Sequence, residues 1–145
     1  ASSSIPLSVY EEITAPYTHI SIVTGDTYGV LRRADAALVK SGTSTLETAL
    51  IGIPQVVCYT GNRLSYEIAK RLIKIGYISL VNLIADAPIV EELIQDNFNT
   101  ATLEKALQAI LIPEHAQKMK ANYRSIRAAL GEEGASLRAA NAILD

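Results

Sequence analysis

Between Ala36 and Ile51 an apolar run, a turn of small hydroxylated residues and the start of a helix follow one another directly. Ala36-Ala37-Leu38-Val39 reads as a buried strand, Ser41-Gly42-Thr43 as a turn, and Ser44 to Ile51 as a helix ended by Gly52. A strand that feeds a helix through so short a turn belongs to an α/β sheet with crossover connections. It also makes an anion site. The first turn of a helix presents unpaired N–H groups and a partial positive charge. Gly42 allows close approach of a phosphate, and Ser41, Thr43, Ser44 and Thr45 add hydroxyl donors. Glu47 falls about one turn in, where a carboxylate can accept from ribose hydroxyls. The same residues support a second reading. Ser44-x-x-Glu47 fits the capping box, in which both side chains serve only the helix end. On these residues alone both readings stand.

The rest of the chain repeats the alternation. Val9 to Ile13 reads as a short helix, His19 to Val23 as a strand and Tyr28 to Ala34 as a helix. After Pro54, Gln55 to Tyr59 is a strand. Arg63 to Ile75 carries Leu64, Ile68, Leu72 and Ile75 at helical spacing. Tyr77 to Val81 reads as a fourth strand, Asn82 to Ala87 as a loop, and Pro88 to Gln95 as a helix. Three helices follow: one around Leu103 to Leu111, one from Pro113 to Leu130 and one from Glu132 to Leu144. The expected fold is α/β, a Rossmann-like parallel sheet of about four strands flanked by helices. Residues 1–145 form a single domain with a helical tail from about 99 to 145. Ligands on such sheets bind outside the carboxyl ends of the strands.

Bulk properties exclude several functions. The 145 residues are 49% hydrophobic with a net charge of −2, so no basic excess points to nucleic acid. His19 and His115 lie in unrelated contexts, which speaks against a metal site. Cys58 sits in Val56-Val57-Cys58-Tyr59 and reads as a small buried hydrophobe in a reducing, cytoplasmic compartment. No apolar run reaches the roughly 18 residues of a membrane span, and no signal peptide is visible.

The ordered set of segments resembles the C-terminal, nucleotide-sugar-binding half of GT-B glycosyltransferases, most closely the lipid-A-disaccharide synthase family. The matching segments are Ala34-Asp35-Ala36-Ala37-Leu38-Val39, Ser41-Gly42-Thr43, Thr45-Leu46-Glu47 and Pro54-Gln55-Val56-Val57-Cys58-Tyr59. Ala69-Lys70-Arg71-Leu72-Ile73-Lys74 and Tyr77-Ile78-Ser79-Leu80-Val81-Asn82-Leu83 continue the set, and Gly134-Ala135-Ser136 extends it loosely. Val81 stands where the family usually has Pro.

The resemblance implies a transferase that moves diacylglucosamine from UDP to diacylglucosamine 1-phosphate. It implies a UDP-diacylglucosamine donor held at Ser41, Gly42, Thr43 and Ser44, with Glu47 on the ribose and Val23-Thr24 reading uracil. Asn82 matches a functionally important Asn and is the supporting catalytic candidate. No cofactor and no metal are implied. The family's main catalytic acidic group and its lipid acceptor site belong to an N-terminal domain that this chain does not carry. The expectations are therefore a piece inactive alone, exposed sheet edges that favour a homo-oligomer, and peripheral contact with the inner face of the inner membrane. A GT-B-fold UDP-sugar epimerase and a non-enzymatic α/β interaction module are the alternatives.

Overall fold

A computed structural model describes residues 1–2, 4–61, 76–131 and 134–144. The helix expected from Arg63 to Ile75 lies outside the described residues. The chain divides into two units, Ala1–Ala34 and Asp35–Asp145.

The first unit holds helices α1, Leu7–Thr14, and α2, Thr27–Arg32. Asp26 caps α2 by accepting from the Gly29 amide at 2.9 Å. A Cβ on Gly29 would strike the Asp26 carboxylate where it stands, so a side chain there would make the capping group shift. His19 to Val23 forms no strand. Its β-branched alternation gains nothing without a neighbouring strand within its unit to complete a ladder.

The second unit carries β1 (Ala37–Lys40), α3 (Thr43–Ile51), β2 (Gln55–Tyr59), α4 (Leu80–Ala85), β3 (Glu91–Ile94) and a 3₁₀ turn, Gln95–Asn97. Helices α5 (Thr100–Leu111), α6 (Pro113–Leu130) and α7 (Ala135–Leu144) follow. The sheet is parallel, in the order β1-β2-β3, with Ala37 opposite Gln55 and Val56 opposite Glu91. Val56 and Val57 point to opposite faces and both are fully buried, so helices cover the sheet on both sides of β2. Helix α5 packs on β2 and β3, while α3 packs on β1 and β2 and against α4 and α6.

Two expected elements change type. The strand expected at Tyr77 to Val81 and the loop at Asn82 to Ala87 give way to α4. Ser79 caps α4, its hydroxyl accepting from the Asn82 amide at 3.3 Å. The helix expected from Pro88 to Gln95 gives way to β3. Glu91-Glu92-Leu93-Ile94 has helix-compatible residues, but pairing with β2 and burial of Val90 and Leu93 override that local preference. The sheet thus has three strands among the described residues, against about four expected.

Helix α6 buries Met119, Tyr123 and Ile126 at spacings of four and three. The Tyr123 hydroxyl accepts from Gln55 Nε2 at 3.3 Å, and the same amide nitrogen donates to the Thr45 carbonyl at 2.9 Å. Burial pushes the Tyr123 phenol well above its ordinary value, against a smaller opposing effect of Gln55. The folded state therefore holds the phenolic proton more tightly than the unfolded chain. This stabilisation is fully present below the ordinary tyrosine value of about 10 and is lost as pH rises towards the raised folded value. Urea melts at about pH 9 and about pH 11 should show a steeper loss for the native chain than for Tyr123→Phe. Equal losses would remove Tyr123 as the cause.

Cys58 is buried in β2, and burial raises its thiol above the usual range, as suits a packing residue. Among the described residues no helix is long and apolar enough to cross a membrane, and no group of side chains is arranged to hold a metal.

Candidate functional site

The turn after β1 is built by hydrogen bonds to carbonyls both distant in the chain and just behind it. The Ser41 amide donates to the Cys58 carbonyl at 3.0 Å, carrying the β1–β2 ladder one residue further. The Ser41 hydroxyl donates to the Ile78 carbonyl at 3.2 Å. Ser44 Oγ donates to the Lys40 carbonyl at 3.2 Å and Thr45 Oγ1 to the Gly42 carbonyl at 2.8 Å. These protons are committed to the protein. Thr43 is the hydroxyl of the turn with no protein partner among the described residues.

Gly42, not Ser44, is the N-cap of α3, and no side chain caps the helix. The Ser44–Glu47 capping box therefore does not form, because Ser44 already lies inside the helix with its hydroxyl turned back to Lys40. The Thr43 and Ser44 amides meet no protein acceptor among the described residues. Gly42 has φ +152° and ψ −164°, a conformation essentially restricted to glycine. A Cβ there would meet nothing within 4 Å among the described residues, which leave the space over the turn open. Bare amides at the positive end of a nine-residue helix are the arrangement that accepts an oxyanion.

Glu47 is half-buried one turn further on, on the face of α3 that Thr43 begins. Its carboxylate has no hydrogen-bond or ion-pair partner among the described residues. It is free to accept from a ligand's hydroxyl groups.

Asn82 lies in α4 and is 1% exposed. Its Nδ2 donates to the Val90 carbonyl at 2.8 Å and to Glu92 Oε1 at 2.9 Å, and its Oδ1 accepts from the Val90 amide at 2.9 Å. Glu92 in turn accepts from the Ile78 amide at 3.0 Å, the Ser79 amide at 2.9 Å and the Ser79 hydroxyl at 2.7 Å. A carboxylate from β3 thus occupies the start of α4, the position that favours negative charge. Since the Ile78 carbonyl receives the Ser41 hydroxyl, one chain of hydrogen bonds runs from Asn82 through Glu92 and the Ile78 residue to the Ser41 turn. Ser41, Gly42, Thr43, Ser44, Glu47 and Asn82 all belong to the second unit. Val23 and Thr24 belong to the first, where both are exposed in irregular backbone.

A profile of the lipid-A-disaccharide synthetase family matches residues 7–144, nearly the whole chain. The chain belongs to the lipid-A-disaccharide synthase family. Lipid-A-disaccharide synthase of Anaeromyxobacter dehalogenans is 42% identical over 126 residues, covering 86% of this chain and 33% of that protein. The Syntrophus aciditrophicus enzyme is 40% identical over 122 residues, 83% of this chain and 32% of its own length. The Geobacter metallireducens enzyme is 34% identical over 146 residues, 100% of this chain and 38% of its own length. The chain spans about a third of the length of the curated relatives it matches. Lipid-A-disaccharide synthases are glycosyltransferases, and the parallel sheet of this chain has the Rossmann-like form the resemblance implied.

Sequence reasoning missed Glu92 and Gln95. Glu92 makes the hydrogen bonds just described. Gln95 follows β3 with φ +51° and donates through Nε2 to the Gly61 carbonyl at 3.2 Å. The signal available was the segment Val90-Glu91-Glu92-Leu93-Ile94, a β-branched and apolar run around two charges. Read as an edge of the sheet, it would have placed Glu92 beside the start of α4.

Proposed function

We propose that this chain is the donor-binding part of a lipid-A-disaccharide synthase, holding the UDP of a UDP-diacylglucosamine whose sugar passes to diacylglucosamine 1-phosphate. The observation that carries the reading is the uncapped start of α3, with bare Thr43 and Ser44 amides, an open Gly42 and no side-chain cap. The diphosphate lies over Gly42 and accepts from those amides, and the Thr43 hydroxyl adds a donor. Glu47 accepts from the ribose hydroxyls. As the bond from sugar C1 to the diphosphate oxygen breaks, negative charge grows on the leaving UDP. Donors already aimed at that position stabilise it without having to reorganise. The acceptor hydroxyl attacks C1 from the opposite face, so the configuration there inverts. Its proton goes to a group supplied by the acceptor-side domain.

Titration of the chain with UDP, followed by amide chemical shifts, tests this reading. Shifts should centre on Gly42, Thr43, Ser44 and Glu47. Shifts confined to α5, α6 and α7 would defeat it. Glu47→Gln should weaken UDP binding about tenfold and change stability by less than about 0.5 kcal/mol, since the native carboxylate holds no protein partner among the described residues. Unchanged UDP affinity in that variant would remove Glu47 from the ribose.

A further inference from the structure

Gln95 stands directly after β3 at the carboxyl edge of the sheet, with φ +51°. A glutamine keeps such left-handed backbone only where its surroundings impose it. Its side chain spans two strand ends: Nε2 reaches the Gly61 carbonyl, 34 residues away in sequence. A carbonyl oxygen only accepts, so the orientation of the amide follows from its partner. Gly61 comes two residues after β2, whose last residue, Tyr59, is paired in register with Ile94. The side-chain space of Gly61 is already taken, since a Cβ there would lie 2.7 Å from the Tyr59 hydroxyl. Gln95 thus ties the end of β3 to the residue two positions beyond β2.

We infer that Gln95 is a positioning residue for the nucleotide-sugar donor: it fixes the Gly61 carbonyl at the carboxyl edge of the sheet, where the sugar end of the ligand lies. The inference rests on the donor-binding reading. β1 and β2 are parallel neighbours, so Gly61, two residues beyond β2, stands at the same edge of the sheet as the Ser41–Thr43 turn after β1, where the diphosphate lies. β3 and the residue after it hold both turns. Glu92 accepts from the Ser79 amide of the peptide whose Ile78 carbonyl receives the Ser41 hydroxyl, and Gln95 anchors Gly61. A ligand that bridges the two turns is sensitive to both anchors, and one that stops at the first phosphate is sensitive to the first alone.

Gln95→Gly separates the side chain from the backbone. Glycine adopts φ +51° freely, so this variant keeps the local conformation and loses only the hydrogen bond to Gly61. Its melting temperature should equal or exceed that of the native chain. Titration calorimetry with UDP-N-acetylglucosamine should show affinity about tenfold weaker, while UMP binds as it does to the native chain. Gln95→Glu, which sets a carboxylate against the Gly61 carbonyl, should lose at least as much for the nucleotide sugar. Native affinity of Gln95→Gly for UDP-N-acetylglucosamine would overturn the inference. An equal loss for UMP would overturn it too, because the effect would then reach the ligand through the fold and not through the turn. If the native chain binds neither compound, the donor-binding reading fails and this inference with it. If the native chain binds both and the glycine variant matches it, the positioning role of Gln95 fails alone.

Discussion

Asn82→Ala should lower the stability of the second unit by about 3 kcal/mol, from the unsatisfied groups it leaves inside. The substitution removes three hydrogen bonds at once. It strands the Val90 amide and carbonyl beneath α4, and it takes one donor from the Glu92 carboxylate. Buried groups without partners cost more than the bonds themselves contributed, and a charged one costs most. Urea unfolding at neutral pH measures the difference. Asn82→Asp sharpens the test. It keeps an acceptor for the Val90 amide but sets a second carboxylate against Glu92 and the Val90 carbonyl, so it should be at least as destabilised as the alanine variant. An alanine variant within about 0.5 kcal/mol of the native chain would show that this cluster contributes little to the fold. The geometry makes Asn82 the member that holds Glu92 against the start of α4. Through Glu92 and Ile78 the same cluster reaches the Ser41 turn.

Gly42→Ala should cost about 1–3 kcal/mol, because φ +152° with ψ −164° lies where a Cβ collides with its own backbone. The loss of UDP binding should be larger than the loss of stability suggests. The new methyl would project over the turn, where no described residue stands within 4 Å and where the proposed function brings the diphosphate to the Thr43 and Ser44 amides. Calorimetric titration with UDP should show affinity more than tenfold weaker, that is a loss above about 1.4 kcal/mol. Ser41→Ala provides the comparison. It removes the bond to Ile78 without adding atoms over the turn, and should reduce UDP affinity by a smaller factor. An alanine at position 42 that binds UDP normally would mean that the anion does not approach there.

How far the sequence reveals this structure depends on whether the forces on a segment are local. β1, α3 and β2 are legible because each boundary is written in its own residues: Gly42 at the turn, Gly52 with φ +92° at the end of α3, and Pro54 before β2. Gln55 to Tyr59 agrees residue for residue with the observed strand. The long helices α5 and α6 are legible from the same kind of signal, with Asn99 and Thr102 forming a capping box and Pro113 opening α6. The segment from Tyr77 to Gln95 is not. Helix α4 has only six residues, and its start is stabilised by Glu92, which lies outside the helix, beyond its C-terminal end. β3 is a strand because β2 lies beside it, not because Glu91 and Glu92 prefer extended backbone. At the site, the sequence revealed which residue types gather at the turn after β1. It could not show that Ser41, Ser44 and Thr45 direct their protons to carbonyls, which leaves backbone amides as the principal donors.

β2 offers apolar side chains on both faces, and four of its five residues are buried. Alternation therefore cannot tell this strand how to align with its neighbours: sliding it by one position would exchange Val56 for Val57 at little hydrophobic cost. Gln55 is what makes the alternatives unequal. In the observed alignment its amide reaches both the Thr45 carbonyl and the Tyr123 hydroxyl, and its own N–H faces the Met119 sulfur at 3.4 Å. In any slipped alignment a buried primary amide would lose those partners, a penalty that no rearrangement of valines can offset. One polar side chain at the start of an oily strand thus serves as its index mark, fixing the offset of the whole sheet and the height at which the Ser41–Thr43 turn emerges.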